Sequence, residues 1–397
     1  MYILQLCNKS PYPAKEGGPI AMNRLTEQLL ALGHTVKIFA VNTPKYTIDI
    51  NMIDEDYQRI TNIELGYIDT SLSAKKALKC LLTNKSYHVE RFRNNNFENQ
   101  LIEILKNNDF QVVILETVYM AVYIETIRKY STAKIVLRAH NVENNLWKEI
   151  TQHTKFSLKK LYLAILTIQL KKFEKRVLSQ CDSVWCISEK DKHCFEQYKV
   201  KSSIDVLPFA WEKQQYKEKV TTFPINLFTI GSMDWQPNTE GLSWFLEKIY
   251  PCIREAVPDL QLKIAGRNMS PYWKELHLEG VQVVGEVDDA KQFMAQNGIL
   301  IVPLLSGSGV RIKILEALAI GKVVISTQKG VEGLDVEHEK NLFIADTAKE
   351  FLSTIQQCID NPYLCNIISE NAQQYVSQHH SFLALNRRLE NLLKKIC

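Results

Sequence analysis

Short apolar runs alternate with amphipathic helical stretches along almost the whole chain, and this rhythm limits the fold more than any other property. Runs at 2–7, 36–41, 112–116, 134–138, 184–187 and 204–207 form one series. Runs at 226–230, 260–265, 281–284, 299–303, 323–326 and 341–344 form a second. A strand covered on both faces reads as a continuous apolar run, and parallel neighbours need a helical crossover between them. The alternation therefore predicts two parallel α/β sheets with helices on their faces. The first crossover is well punctuated. Gly17 and Gly18 open it, Pro19 suits a first helical position where no amide hydrogen is needed, and Gly33 closes it. Residues 43–63 are polar and weakly patterned, which predicts an excursion, and Asn94-Asn95-Asn96 predicts a polar turn.

At 397 residues the chain is long enough for more than one domain. The polar stretch from Trp211 to Lys219, ahead of Pro224, separates the two series and marks the boundary. In open α/β sheets ligands bind beyond the carboxyl ends of the strands, so the loops after the strands carry the chemistry.

Several classes are excluded by composition. Hydrophobic residues make up 46% and charged residues 23%, a globular balance unlike disordered, collagenous or coiled-coil chains. Lys+Arg 48 against Asp+Glu 44 leaves +4, too little for a nucleic-acid binder. The opening Met1 to Cys7 has neither a basic leader nor a cleavage site, and reads as a buried first strand. The longest apolar run, 161–170, is about half of what a membrane span needs. Nine cysteines without a C-x-x-C pair predict reduced thiols in a cytoplasmic protein. There is no H-E-x-x-H and no Asp-x-Asp, and His379 and His380 are adjacent, so no metal is expected. Gly-x-Ser-x-Gly and G-x-G-x-x-G are absent too.

The most informative segment is Ser306-Gly307-Ser308-Gly309-Val310-Arg311-Ile312-Lys313, followed by Glu316 and closed by Gly321. A strand ends in a Gly/Ser loop that opens a helix. Glycines let the backbone approach an anion, and the free N–H groups of a helix start attract phosphate. Arg311 and Lys313 add two cations, and Glu316 could accept bonds from vicinal sugar hydroxyls. The plain alternative is an ordinary helix start with a surface Lys–Glu pair.

From Ser306 to Val324 the sequence resembles the donor-binding signature of glycosyltransferase family 4, in the subset with a Gly-Ser-Gly-x-Arg-x-Lys loop. Gly231-Ser232-Met233-Asp234-Trp235-Gln236-Pro237-Asn238 is similar to that subset's Gly-Ser-Met-x-Trp-x-Pro-Asn segment. The turn at Gly266-Arg267 and the loop at Gly285 resemble strand ends that line the donor pocket. The resemblance implies the GT-B architecture, two Rossmann-like domains facing across a cleft, and a retaining mechanism. It implies that Glu316 binds the nucleotide ribose. It also implies that Gly231, Ser232, Arg267, Gly285, Ser308, Gly309, Arg311 and Lys313 surround the donor. The family's usual first glutamate would fall at Ser308, where this chain departs from the pattern. In the first half, Gly17 and Gly18 resemble the family's Gly-Gly loop on the acceptor side, and His140 takes the place of its active-site histidine. Glu116 ends a strand and is a further candidate for that side. Expected catalytic residues are His140, Arg311 and Lys313.

The expected organisation is residues 1–208 on the acceptor side, 209–380 for the nucleotide sugar, and a final helix, 381–397, returning to the first domain. The expected reaction moves a sugar from a nucleotide-diphosphate sugar to a glycan or lipid-linked acceptor in bacterial surface polysaccharide synthesis, without cofactor or metal. A sugar-nucleotide epimerase or hydrolase on the same fold, and a non-catalytic nucleotide-sugar-binding protein, are the alternatives. The segment from Lys155 to Arg176 carries seven cations against Glu174 alone, a net +6 that leaves the remainder at −2. It reads either as a packed helix with solvated lysines or as a peripheral contact with the inner face of a membrane.

Overall fold

The computed structural model describes residues 1–14, 16–211, 226–307 and 309–396. Most of the expected boundary stretch, from Glu212 to Lys219, and the donor-loop residue Ser308 lie outside the described residues. Two compact units are present: Met1–Ala210 together with Leu385–Cys397, and Trp211–Ala384.

In the first unit, β1 (Tyr2–Cys7), β2 (Thr35–Asn42), β3 (Glu64–Tyr67), β4 (Val112–Glu116), β5 (Lys134–Ala139), β6 (Ser183–Cys186) and β7 (Ser203–Val206) form a seven-stranded sheet. Its order is β3-β2-β1-β4-β5-β6-β7 and every pairing is parallel. In the second unit, β8 (Asn226–Ser232), β9 (Gln261–Arg267), β10 (Val281–Gly285), β11 (Ile299–Val302), β12 (Val324–Ser326) and β13 (Phe343–Ile344) form a six-stranded parallel sheet. Its order is β10-β9-β8-β11-β12-β13. Both orders reverse direction once, at β1/β4 and at β8/β11, and these switch points open a crevice beyond the strand carboxyl ends. The expected pair of parallel α/β sheets is therefore the observed fold.

Each central strand is buried on both faces, which explains the unbroken apolar runs. One side of the first sheet packs Leu6, Val113, Leu115 and Ile135. The other packs Ile3, Ile114, Val136 and Trp185 together with Leu389, Leu392 and Leu393 of the helix Phe382–Ile396. The second sheet buries Leu262, Ile264, Ile301 and Phe351 in its own core.

Local chemistry corrects three sequence expectations. The excursion at 43–63 contains a helix, Glu55–Thr61, because Asp54 caps it by accepting from the Tyr57 amide. The Asn94–Asn96 turn is a helix start: the Asn94 side chain accepts from the amides of Asn96 and Phe97 and opens Asn95–Lys106. The basic helix begins at Leu158 rather than near 155, because the Ser157 hydroxyl accepts from the Lys160 amide, and it runs to Gln180.

Candidate active site

Two clusters of side chains lie at the two switch points, one in each unit. In the first unit β1, β4 and β5 are neighbours, so Gln5, Glu116, Arg138 and His140 share one end of the sheet. Glu116 is fully buried. His140 Nε2 lies 2.6 Å from its Oε2, Gln5 Nε2 donates to Oε1 at 2.7 Å, and Arg138 stands 3.4 Å from Oε1. Arg138 also donates to the Ala21 carbonyl, and Gln5 donates to the Met22 carbonyl and accepts from Thr26, which fastens the carboxylate to the helix Gly17–Ala31. Burial pushes the Glu116 carboxyl up, but the Arg138 charge and the bonds from His140 and Gln5 outweigh it and hold the group below the ordinary value. Glu116 is thus an anion in the interior, and it acts on solutes only through His140, whose side chain keeps 11% of its surface open.

The next residue, Thr117, has φ +78 and ψ 157, a region that β-branched residues avoid at a cost of about 1–3 kcal/mol. Its amide donates to the Arg138 carbonyl, so the strained turn is held by the same two strands that place the Glu116–His140 pair. On the far side of His140, Glu174 accepts from the amides of Glu143 and Asn144, capping the helix Glu143–His153. Burial pushes Glu174 up to about 8, aided by the neighbouring Glu143 charge. The loop carrying His140 is therefore anchored at both ends. Gly17 and Gly18 begin the helix Gly17–Ala31, and a Cβ on Gly18 would come within 3.1 Å of Lys9 Cε. Lys9 pairs with Glu16 at 2.9 Å on the same loop.

In the second unit, Gly231 and Ser232 end β8, Arg267 ends β9 and Gly285 ends β10. The loop after β11 holds Gly309 and Arg311, and the helix Ile312–Ala319 carries Lys313 and Glu316. The sheet order places all of these along one edge. Gly309, at φ +87, supplies a backbone that side chains rarely adopt. Lys313 Nζ donates to Asn238 Oδ1 at 3.0 Å, and Asn238 Nδ2 donates to the Ser232 carbonyl at 2.9 Å. A Cβ on Gly231 would lie 2.7 Å from Asn238 Nδ2 and 3.4 Å from Lys313 Nζ, so a side chain there would push Asn238 off its bond to the Ser232 carbonyl. A small pocket between Gly231, Met233, Pro303 and Lys313 marks that junction. Arg311 is buried, stacks over the Trp235 ring at 5.1 Å and donates to the Gly309 carbonyl. Desolvation lowers Lys313 to about 7, and the Arg311 charge adds to the effect. Arg311 and Lys313 thus bring two cations to the start of the helix Ile312–Ala319, where free amides also face an incoming anion. Ser306 donates to Glu240 at 2.6 Å, which fixes the start of the loop.

Sequence reasoning named the ends of these strands, quoted Trp235 and Asn238 in a motif without giving either a role, and passed over Gln5; these three hold the named residues in place. Among the described residues no group of three or more His, Cys, Asp and Glu could hold a metal ion.

Comparison with known proteins bears on the second unit most directly. Residues 224–361 match the family described as "Glycosyl transferases group 1". A Klebsiella pneumoniae protein described as an uncharacterized 44.6 kDa protein in a cps region is 25% identical over 394 residues, covering 95% of this chain and 96% of that one. Among solved structures, Anabaena HepE in complex with UDP is similar at a TM-score of 0.66 and 15% identity, over 100% of both chains. Sucrose-phosphate synthase from Thermosynechococcus elongatus is similar at a TM-score of 0.69 and 15% identity, over 100% of this chain and 99% of that one. These matches give the chain the GT-B fold, and with the group 1 domain across most of its second unit it is a glycosyltransferase.

Proposed function

We propose that the chain is a retaining glycosyltransferase of family 4 type that takes a nucleotide-diphosphate sugar as donor. The observation that carries this reading is the Gly309–Arg311–Lys313 turn at the switch point of the second sheet. Transfer breaks the bond between the anomeric carbon and a diphosphate oxygen, and that oxygen gains negative charge. Arg311, Lys313 and the amides at the start of Ile312–Ala319 are arranged to stabilise it, the largest single contribution in many enzymes. Those cations can do the work of a divalent metal, so none is needed. Glu316 binds the ribose hydroxyls from the same helix. Similarity to a UDP-bound protein supports UDP as the nucleotide of the donor.

On the other side of the reaction, His140 orients the donor sugar or moves a proton, with Glu116 setting its orientation. The acceptor is a glycan or lipid-linked glycan of a surface polysaccharide, and the enzyme works in the cytoplasm at the membrane face. The similar protein from a cps region supports a capsule as the product.

The test is a thermal-shift panel of nucleotide-diphosphate sugars, since a ligand that binds only the folded state raises stability by RT ln(1 + [L]/Kd). One UDP-sugar should shift the melting temperature and then be consumed only when acceptor is added. Turnover of that donor without acceptor would replace the transferase reading with a hydrolase or epimerase.

A further inference from the structure

The helix Leu158–Gln180 is apolar on two opposite sides in its first half. Its inner side packs Leu166 and Tyr162 against Cys80 and Ala77 of the helix Ala74–Leu82. Its outer side presents Leu161 and Ile168, 62% and 57% exposed, one above the other at helical spacing. Phe156, just ahead of it, and Leu158, its first residue, are 98% and 87% exposed. The partner helix repeats the pattern: Cys80 faces inward, while Leu78 and Leu82 share the outward side. Exposed apolar residues scattered singly need no explanation, but two touching helices that each turn a leucine stripe outward do. No helix among the described residues is long and apolar enough to cross a membrane, so these stripes belong to a surface.

Charge says what covers it. Residues 70–88 and 154–172 hold four and five lysines and no Asp or Glu. Such a surface repels a second copy of itself and attracts an anionic plane. An apolar stripe flanked by lysines, lying flat, is the physical requirement for residence at a lipid interface. We infer that the outward faces of Ala74–Leu82 and of the first half of Leu158–Gln180 form one docking surface for an anionic lipid bilayer. This builds on the membrane-side part of the proposed function and is independent of the donor chemistry. It also moves the contact away from the basic segment alone: Lys171, Lys172, Lys175 and Arg176 extend beyond the leucine stripes, and the helix Ala74–Leu82 becomes half of the surface.

Co-sedimentation of the full chain with phosphatidylglycerol/phosphatidylcholine vesicles tests it. The wild type should pellet at 0.05 M salt and be largely released at 1 M, where the Debye length falls to about 3 Å. It should not pellet with phosphatidylcholine alone. A variant combining Leu78→Ser, Leu82→Ser, Phe156→Ser and Leu161→Ser should lose at least tenfold in binding even at low salt. So should one combining Lys75→Gln, Lys79→Gln, Lys159→Gln and Lys160→Gln. Seven of the eight side chains are exposed and Lys160 is half-buried, donating to the Gln152 carbonyl; unchanged thermal unfolding will show that the variants are folded. Wild type that stays in the supernatant, or variants that pellet as the wild type does, would overturn the inference. So would a wild-type dimer in light scattering that the serine variant dissociates without any vesicle binding, since the occupant would then be a second copy. Vesicle binding by a protein that takes up no nucleotide sugar would leave this surface standing and remove only the donor reading.

Discussion

His140 Nε2 and Glu116 Oε2 are 2.6 Å apart at the carboxyl ends of adjacent strands, and the carboxylate has no route to solvent. A buried anion that touches one partly open imidazole fixes which ring nitrogen faces outward, as second-shell carboxylates do elsewhere. Glu116 is accordingly a positioning residue. Glu116→Gln should lower kcat by about tenfold to a hundredfold while KM for the donor stays within about twofold. His140→Ala should lower kcat at least as far. Because the two act as a unit, the double variant should be no slower than His140→Ala, and steady-state kinetics on the three proteins checks this. Losses that multiply would separate the two roles.

Lys313 should make donor binding sensitive to pH in a direction that can be stated in advance. Burial and the Arg311 charge hold its ammonium down to about 7, and a bound diphosphate favours the charged form. Binding above pH 7 therefore takes up a proton. Calorimetric titration should show the Kd for a nucleotide-diphosphate sugar rising by up to about tenfold per unit between pH 7.5 and 9. The donor's own phosphates do not titrate there. Flat affinity over that range would mean that Lys313 does not face the diphosphate.

The same group acts oppositely on stability. In the unfolded chain its pKa returns to about 10.4, so between pH 7 and 10 the unfolded state binds more protons than the folded one. The ligand-free second unit should then gain stability as pH rises through that window and lose it as pH falls toward 7. Lys313→Met should raise ligand-free stability at pH 7 by about 1–2 kcal/mol while removing donor affinity. A melting curve with and without donor distinguishes this from a general packing defect.

Glu316→Ala should weaken donor binding by about 1–3 kcal/mol, the loss of a charge-assisted hydrogen bond at an enclosed site, with the fold unchanged. Unaltered affinity would leave Glu316 with a structural role on the Ile312–Ala319 helix.

Turnover should persist in excess chelator, because Arg311 and Lys313 supply the charge that a divalent ion would otherwise bring. Activity that collapses in chelator and returns with magnesium or manganese would assign the diphosphate charge to a metal.

The fold was legible because burial on both faces leaves an unmistakable mark: Val112–Glu116 and Ile299–Val302 have no exposed position. β3 left no such mark. Glu64 and Tyr67 are exposed at the sheet edge, and four residues are too few for alternation to show. Lys37 is buried along β2 and pairs with Glu64, a polar residue in an apolar run that makes sense only once the edge strand is known. Site residues carried by a local motif, such as Gly309, Arg311 and Lys313, were readable. Their supports were readable only in part: Asn238 stood in a quoted motif, but that it meets Lys313 across 75 positions, and that Gln5 meets Glu116 across 111, was not. Strand order creates those neighbours, and no periodicity encodes it.

The helix Phe382–Ile396 sends Leu389, Leu392 and Leu393 into the core of the first unit, while the chain between Trp211 and Ala384 builds the second. On the ribosome, where domains ordinarily fold in the order they are made, this arrangement inverts the sequence of events. The unit whose synthesis starts first is completed last. The second unit has its whole sequence available while the first still waits for its final helix, its Ile3–Trp185 face left open to any passing chaperone.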